Sequence, residues 1–233
     1  MSNEYDWRTD QRLDRWKLDG FGELEQTDDG ELLVRTFDCG PNRRATNIWL
    51  KDIELSDNFE IEWTFRSKAP AGNVMIIFNA KPLALNDLFD DPRPHARYSD
   101  LASYRKMICH TCGFHRGVYQ KDSVLRKLGG NVPTGWGEAL WGTPSWEEMN
   151  TKTTLHSTRE PLTSDSLGSE QSYRLTRNEN RIVVAMNGAV LHDVVDSGQY
   201  PFYPDPLRGG GVGFRNFGGY AEDFYSHITI RSI

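Results

Sequence analysis

From Arg181 to Val195 the chain reads RIVVAMNGAVLHDVV, two apolar runs joined by Asn187-Gly188. A two-residue turn of this kind needs positive φ at both positions, which Asn and Gly accept at least cost, and it folds the chain back antiparallel. The stretch therefore commits the fold to antiparallel sheet. Others read the same way. In FEIEWTF, Phe59, Ile61, Trp63 and Phe65 alternate with Glu60, Glu62 and Thr64, the period of a strand with one face in a core and the other in water. NVMIIFNA (Asn73 to Ala80) is apolar without alternation, which predicts cover on both faces. ELLVRTF, NIWLKDIEL, GVGFRNF and DFYSHITIRSI add further strands. Helical periodicity is confined to short turns around 85–91 and 145–150. No period of 20 to 50 residues repeats, so solenoids and propellers are excluded. Short strands separated by turn signals predict an all-β sandwich or jelly roll. The 233 residues read as one domain, with a long Trp-rich loop region at about 121–172.

Composition narrows the function classes. Aromatic residues make up 12% of the chain, including seven Trp, which leaves two uses open: packing inside a sandwich, or a cleft lined with flat rings. A net charge of −6 gives no basic footprint for nucleic acid or an anionic membrane. No apolar run approaches the roughly 18 residues that cross a bilayer. The charged start MSNEYDWRTDQRLDRW lacks the apolar segment of a signal peptide, so the expected compartment is the cytoplasm. Three cysteines, an odd count, argue against a disulfide framework.

KMICHTCGFHRG (Lys106 to Gly117) looks at first like a metal knuckle. Structural zinc wants four ligands, and only Cys39 is left to join Cys109 and Cys112. If the stretch is a strand, residues three apart point to opposite faces, which separates the thiols. A redox CxxC wants a helix N-terminus, and no helix pattern follows. The same parity places Ile108, His110, Cys112, Phe114 and Arg116 on one face. That face suits either a satisfied core histidine or the floor of a concave cleft. Elsewhere, GGGVGF lacks the Lys-Ser/Thr of a phosphate loop and reads as a strand entry. The acidic turn NDLFDDP reads as a capped turn, with a structural calcium as the other reading. No catalytic cofactor is implied.

FNAK (Phe78 to Lys81), DLFD (Asp87 to Asp90), Tyr98, the histidine strand to Arg116, LRK (Leu125 to Lys127) and GFRN (Gly213 to Asn216) together resemble the YesU-like family of bacterial proteins. The resemblance is piecewise over roughly residues 45 to 233. CHTCGFHR replaces a tyrosine-rich version of the strand, so Phe114 stands where the family carries a tyrosine. The resemblance implies a concanavalin-A-like jelly-roll β-sandwich of two antiparallel sheets with a concave cleft. It also implies a place in polysaccharide degradation, beside polysaccharide lyases and oligosaccharide dehydratases, and hence chemistry on uronic acids.

Elimination from a uronate needs a group that neutralises the C6 carboxylate, a base for the C5 proton and an acid for the C4 oxygen. The expected base and acid are drawn from His110, Tyr98 and Tyr104. The expected substrate-binding set is Asn79, Arg116, Arg126, Lys127, Trp136 and Arg215, and the expected partner is an oligosaccharide. Two alternatives stay open. A glycoside hydrolase needs paired carboxylates across the scissile bond, and no Glu-x-Asp-x-x-Glu strand motif occurs. A non-catalytic carbohydrate-binding protein needs only an aromatic platform and a few polar groups.

Overall fold

Asn187 and Gly188 sit at φ 48° and 82°, as the hairpin signal requires, and join β12 (Arg181–Met186) to β13 (Ala189–Val195). The computed structural model describes residues 4–20, 22–37, 45–68, 72–82, 107–116, 122–128, 151–159, 169–198, 205–217 and 220–233. Their strands form two antiparallel sheets. The first runs β13, β12, β11 (Gln171–Asn178), β6 (Phe59–Ser67), β15 (Ala221–Ser232), β4 (Leu32–Thr36) and β3 (Gly22–Gln26), with β1 (Tyr5–Asp6) also paired to β15, making eight strands. The second has seven: β10 (Thr154–Arg159), β9 (Asp122–Leu128), β8 (Met107–Arg116), β7 (Gly72–Pro82), β14 (Gly211–Phe217), β5 (Ala45–Leu50) and β2 (Trp16–Gly20).

The alternation of FEIEWTF becomes geometry in β6. Phe59, Ile61, Trp63 and Phe65 are buried between the sheets, while Glu62, Thr64 and Arg66 face outward on a half-buried surface. Trp63 stacks on Tyr173 at 5.0 Å between centroids and meets Phe114 and Phe214 edge-on. Each fully buried ring of this kind contributes about 1.5–3 kcal/mol of transfer free energy. Trp7, Trp16 and Trp63 all lie in this core, so these three tryptophans serve packing. Trp136, Trp141 and Trp146 lie outside the described residues.

Two expectations need correction. The stretch 121–172 is not loop throughout: it contains β9 and β10, and β11 begins at Gln171. NIWLKDIEL is not one strand. It stops at Leu50, turns through Asp52 at φ 60°, and returns Ile53 and Leu55 to the core outside the ladder. The helical turns expected at 85–91 and 145–150, and NDLFDDP, lie outside the described residues.

Candidate functional site

β8 is an interior strand of the seven-stranded sheet, between β7 and β9. Its even-numbered face joins the core: Cys112 and Phe114 pack among the apolar residues between the sheets. Cys109 lies on the other face and is also fully buried. The two thiols therefore point apart, as strand parity predicts, and burial pushes the Cys109 thiol up out of the reactive range. The expectation that the His110 face floors a cleft is corrected. That face looks into the sandwich, and His110 is fully enclosed.

Inside, His110 belongs to a polar hub. Its ring stacks on Phe78 at 5.1 Å, its Nε2 lies 3.1 Å from Asp196 Oδ2, and its Nδ1 lies 3.2 Å from Asn79 Oδ1. Asp196 is the centre. Lys127 Nζ donates to Oδ1 at 2.9 Å, and the backbone N–H groups of Gly198 and Leu207 donate to Oδ1 and Oδ2. Lys127 also donates to the Asp205 carbonyl. Asn79, at φ 51° in a register shift of β7, donates to the Gly209 carbonyl and accepts from Arg177 Nη1 at 2.9 Å. Burial opposes ionisation of Asp196, but the hydrogen bonds from His110 and Lys127 and the charge of Lys127 outweigh it and hold the carboxyl far below the usual range. Burial pushes the His110 pKa down to about 4; Asp196 pulls the other way, while Arg177 and Lys127 add to the fall. Burial thus favours a neutral ring near pH 7 with its proton on Nε2 toward the carboxylate, and Nδ1 then faces Asn79 Oδ1 without a hydrogen, a contact that only the protonated ring would turn into a hydrogen bond.

Sequence reasoning missed Asp196 and Arg177. A signal existed for Arg177: in YRLTRN it occupies the inward register with Tyr173 and Leu175, and a cation there demands a buried partner.

The odd-numbered face of β8 is the outer face of the seven-stranded sheet. Cross-strand register sets Arg126, Thr111, Ile77, Gly213, Trp49 and Lys17 in one row. Val124, Gly113, Met75, Arg215, Asn47 and Asp19 form the next. Arg126 and Arg215 are 7% and 2% exposed. They stand three strands and one row apart, about 16 Å between Cα atoms from standard sheet spacings. Arg215 donates to Asn47 Oδ1 at 3.4 Å.

The expected site residues therefore divide. His110, Asn79 and Lys127 meet inside the sandwich, whereas Arg126 and Arg215 share the opposite, outer face. Tyr98, Tyr104 and Trp136 lie outside the described residues, as does the side chain of Arg116.

Two further clusters are structural. On the outer face of the eight-stranded sheet Glu60, 3% exposed, is clasped by Arg174 and Arg231. Burial alone would raise its carboxyl, but the two guanidiniums hold it low. A groove of about 750 Å³ on that face is lined by Glu62, Arg174, Ser226 and His227 among others, but its aromatic liners Trp63 and Tyr173 are spent in the core. Between the edges of the two sheets, His156 Nδ1 lies 2.8 Å from His192 Nδ1, His192 Nε2 lies 2.8 Å from Ser123 Oγ, and Ser123 donates to the Gly113 carbonyl. The order looks like a nucleophile chain, but Ser123 points between the sheets on the same strand face as Leu125 and gives its proton to the Gly113 carbonyl.

No protein-family model and no curated protein sequence matches this chain. Solved structures do. A Bacillus subtilis protein of unknown function with a galectin-like fold aligns with a TM-score of 0.73 at 18% identity, over 98% of this chain and 94% of that one. A Bacillus licheniformis beta-glucanase aligns at 0.59 and 11% over the whole of both chains. The carbohydrate-binding module CBM66 from Bacillus subtilis aligns at 0.55 and 11%, over 94% of this chain and 96% of that one. With two antiparallel sheets packed face to face and neighbours of this kind, the chain has the fold of the concanavalin-A-like jelly-roll β-sandwiches.

Proposed function

We propose that the chain engages uronate-containing oligosaccharides on the outer face of its seven-stranded sheet and acts on them by β-elimination. The observation that carries this reading is the pair of arginines, Arg126 and Arg215, held on one sheet face with Thr111 and Asn47 between and beside them. A guanidinium binds a carboxylate bidentately and stabilises the negative charge that builds when the C5 proton leaves. The electron pair then forms the C4=C5 bond and the C4 oxygen departs with a proton from the acid. Tyr98 and Tyr104 are the proposed base and acid. His110, sealed inside with its proton committed to Asp196, is reassigned to positioning β8. The shared fold with a beta-glucanase and a carbohydrate-binding module agrees with a saccharide ligand.

A second reading is favoured by the same enclosure of His110: a carbohydrate-binding protein without turnover. One experiment separates them. The protein is incubated with oligogalacturonate, oligoalginate and ulvan oligosaccharides, and absorbance near 235 nm is followed, with mass spectrometry of the products. Rising absorbance that disappears in Arg126→Ala or Arg215→Ala supports elimination; loss of water marks a dehydratase and shortened chains a lyase. Retention on the ligand with flat absorbance supports the binder. New reducing ends without absorbance would replace both with a hydrolase.

A further inference from the structure

Gly113 stands in the middle of β8 in ordinary extended backbone, since its φ is not positive. Glycine there serves no turn, and in a strand interior it weakens the sheet; such a glycine commonly marks a place where a ligand comes close to the backbone. It lies on the outer face, in the row of Met75 and Arg215. Beside it is Asn73 of β7, only 6% exposed. Asn73 Oδ1 is buried and, among the described residues, has no hydrogen-bond partner. Buried amide oxygens are almost always paired. A Cβ built on Gly113 would lie 3.4 Å from that same oxygen. Bare backbone and an unanswered acceptor thus meet at one point of the face that carries Arg126 and Arg215.

We infer that Asn73 is a specificity-determining acceptor on this face: its Oδ1 takes the proton of a sugar-ring hydroxyl while the ring rests against the backbone at Gly113. The inference rests on the proposed saccharide reading and deepens it. The arginines answer the carboxylate of an acidic sugar; Asn73 answers a neutral hydroxyl beside it. The ligand class is a uronate ring with a free equatorial or axial hydroxyl at the position facing Asn73, and sugars lacking that hydroxyl or carrying an ester there are rejected.

The test is calorimetric binding of the best of the three acidic oligosaccharide probes to wild type, Asn73→Leu and Gly113→Ala, with thermal unfolding of each protein alone. Asn73→Leu keeps the volume and removes the acceptor; Gly113→Ala puts a methyl group against it. Both are expected to weaken binding by about ten- to a hundredfold while the melting temperature stays level or rises, because neither removes a hydrogen bond from the unliganded protein. Unchanged affinity in either variant overturns the inference and leaves the saccharide reading standing. A fall in melting temperature of Asn73→Leu overturns it too, since the amide would then be paired within the fold. Absence of binding by wild type to every probe overturns the saccharide reading itself, and the inference with it.

Discussion

At the scale of single residues the protein keeps a charged cluster where charge is most costly. Asp196 accepts from His110, Lys127, Gly198 and Leu207, so every donor around it depends on one carboxylate. Asp196→Ala removes the carboxylate that Lys127 and His110 face in the interior and is expected to cost about 3–5 kcal/mol in urea unfolding. His110→Ala is expected to lower stability while the folded fraction keeps its activity per molecule. A loss of turnover at unchanged stability would return His110 to the catalytic set. The histidine was visible in the sequence, and so was the strand parity that governs it. What the sequence did not contain was which sheet face would be roofed by the other sheet, because Cys112 and Phe114 suit a core and a cleft floor equally well. The carboxylate that answers His110 lies 86 residues away, beyond any local pattern.

At the scale of elements, legibility followed hydropathy. β6 and the β12–β13 hairpin alternate or turn by simple rules and were legible as sequence. β9 was not: SVLRKL sends Ser123 and Lys127 inward with Leu125, and Arg126 outward with Val124 and Leu128, so the face it turns to the other sheet is two-thirds polar. Its strand character comes from partners that no local window contains. The two glycine positions make a paired prediction. Gly188 has φ 82°, and nothing lies within 4 Å of the place a Cβ would take, so Gly188→Ala is expected to cost about 1–2 kcal/mol from backbone conformation alone. Gly210 has φ 90°, and there a Cβ would stand 2.7 Å from the Ala80 carbonyl oxygen. Gly210→Ala is therefore expected to shift the urea midpoint clearly further than Gly188→Ala. Equal midpoints would refute the close approach of the Gly210 loop to β7.

At the scale of the whole molecule, titration couples the two sheets. His192 joins Ser123 of the seven-stranded sheet and His156 on its edge from a strand of the eight-stranded sheet. Burial first, and the neighbouring His156 second, push its pKa down to about 4, as burial does for His110. An unfolded histidine binds its proton near 6.5. Between these values the unfolded chain takes up protons that the folded chain refuses, so stability falls as pH drops from about 6.5 to about 4 and is insensitive to these groups above that window. Each depressed histidine is worth about 1.4 kcal/mol per pKa unit. Urea midpoints at pH 7, 5.5 and 4.5 should fall in that order; a flat series would mean that the two imidazoles are not held neutral. Asp196 acts lower down: its contribution is present above the ordinary carboxyl value of 3.8 and is lost as pH falls below it.

The tether from Leu207 to Asp196 gives the surface a way to report on the interior. Arg208, exposed at the next position and bonded to Asp57 and Asn180, offers trypsin a cleavage point on a segment whose backbone is fastened from within. Cutting there requires the fastening to open. A short trypsin pulse on the native protein should spare the bond after Arg208, whereas Asp196→Asn should be nicked there before any other part of the chain unravels. Protease sensitivity at one exposed arginine would then serve as a gauge of a charge that water never touches.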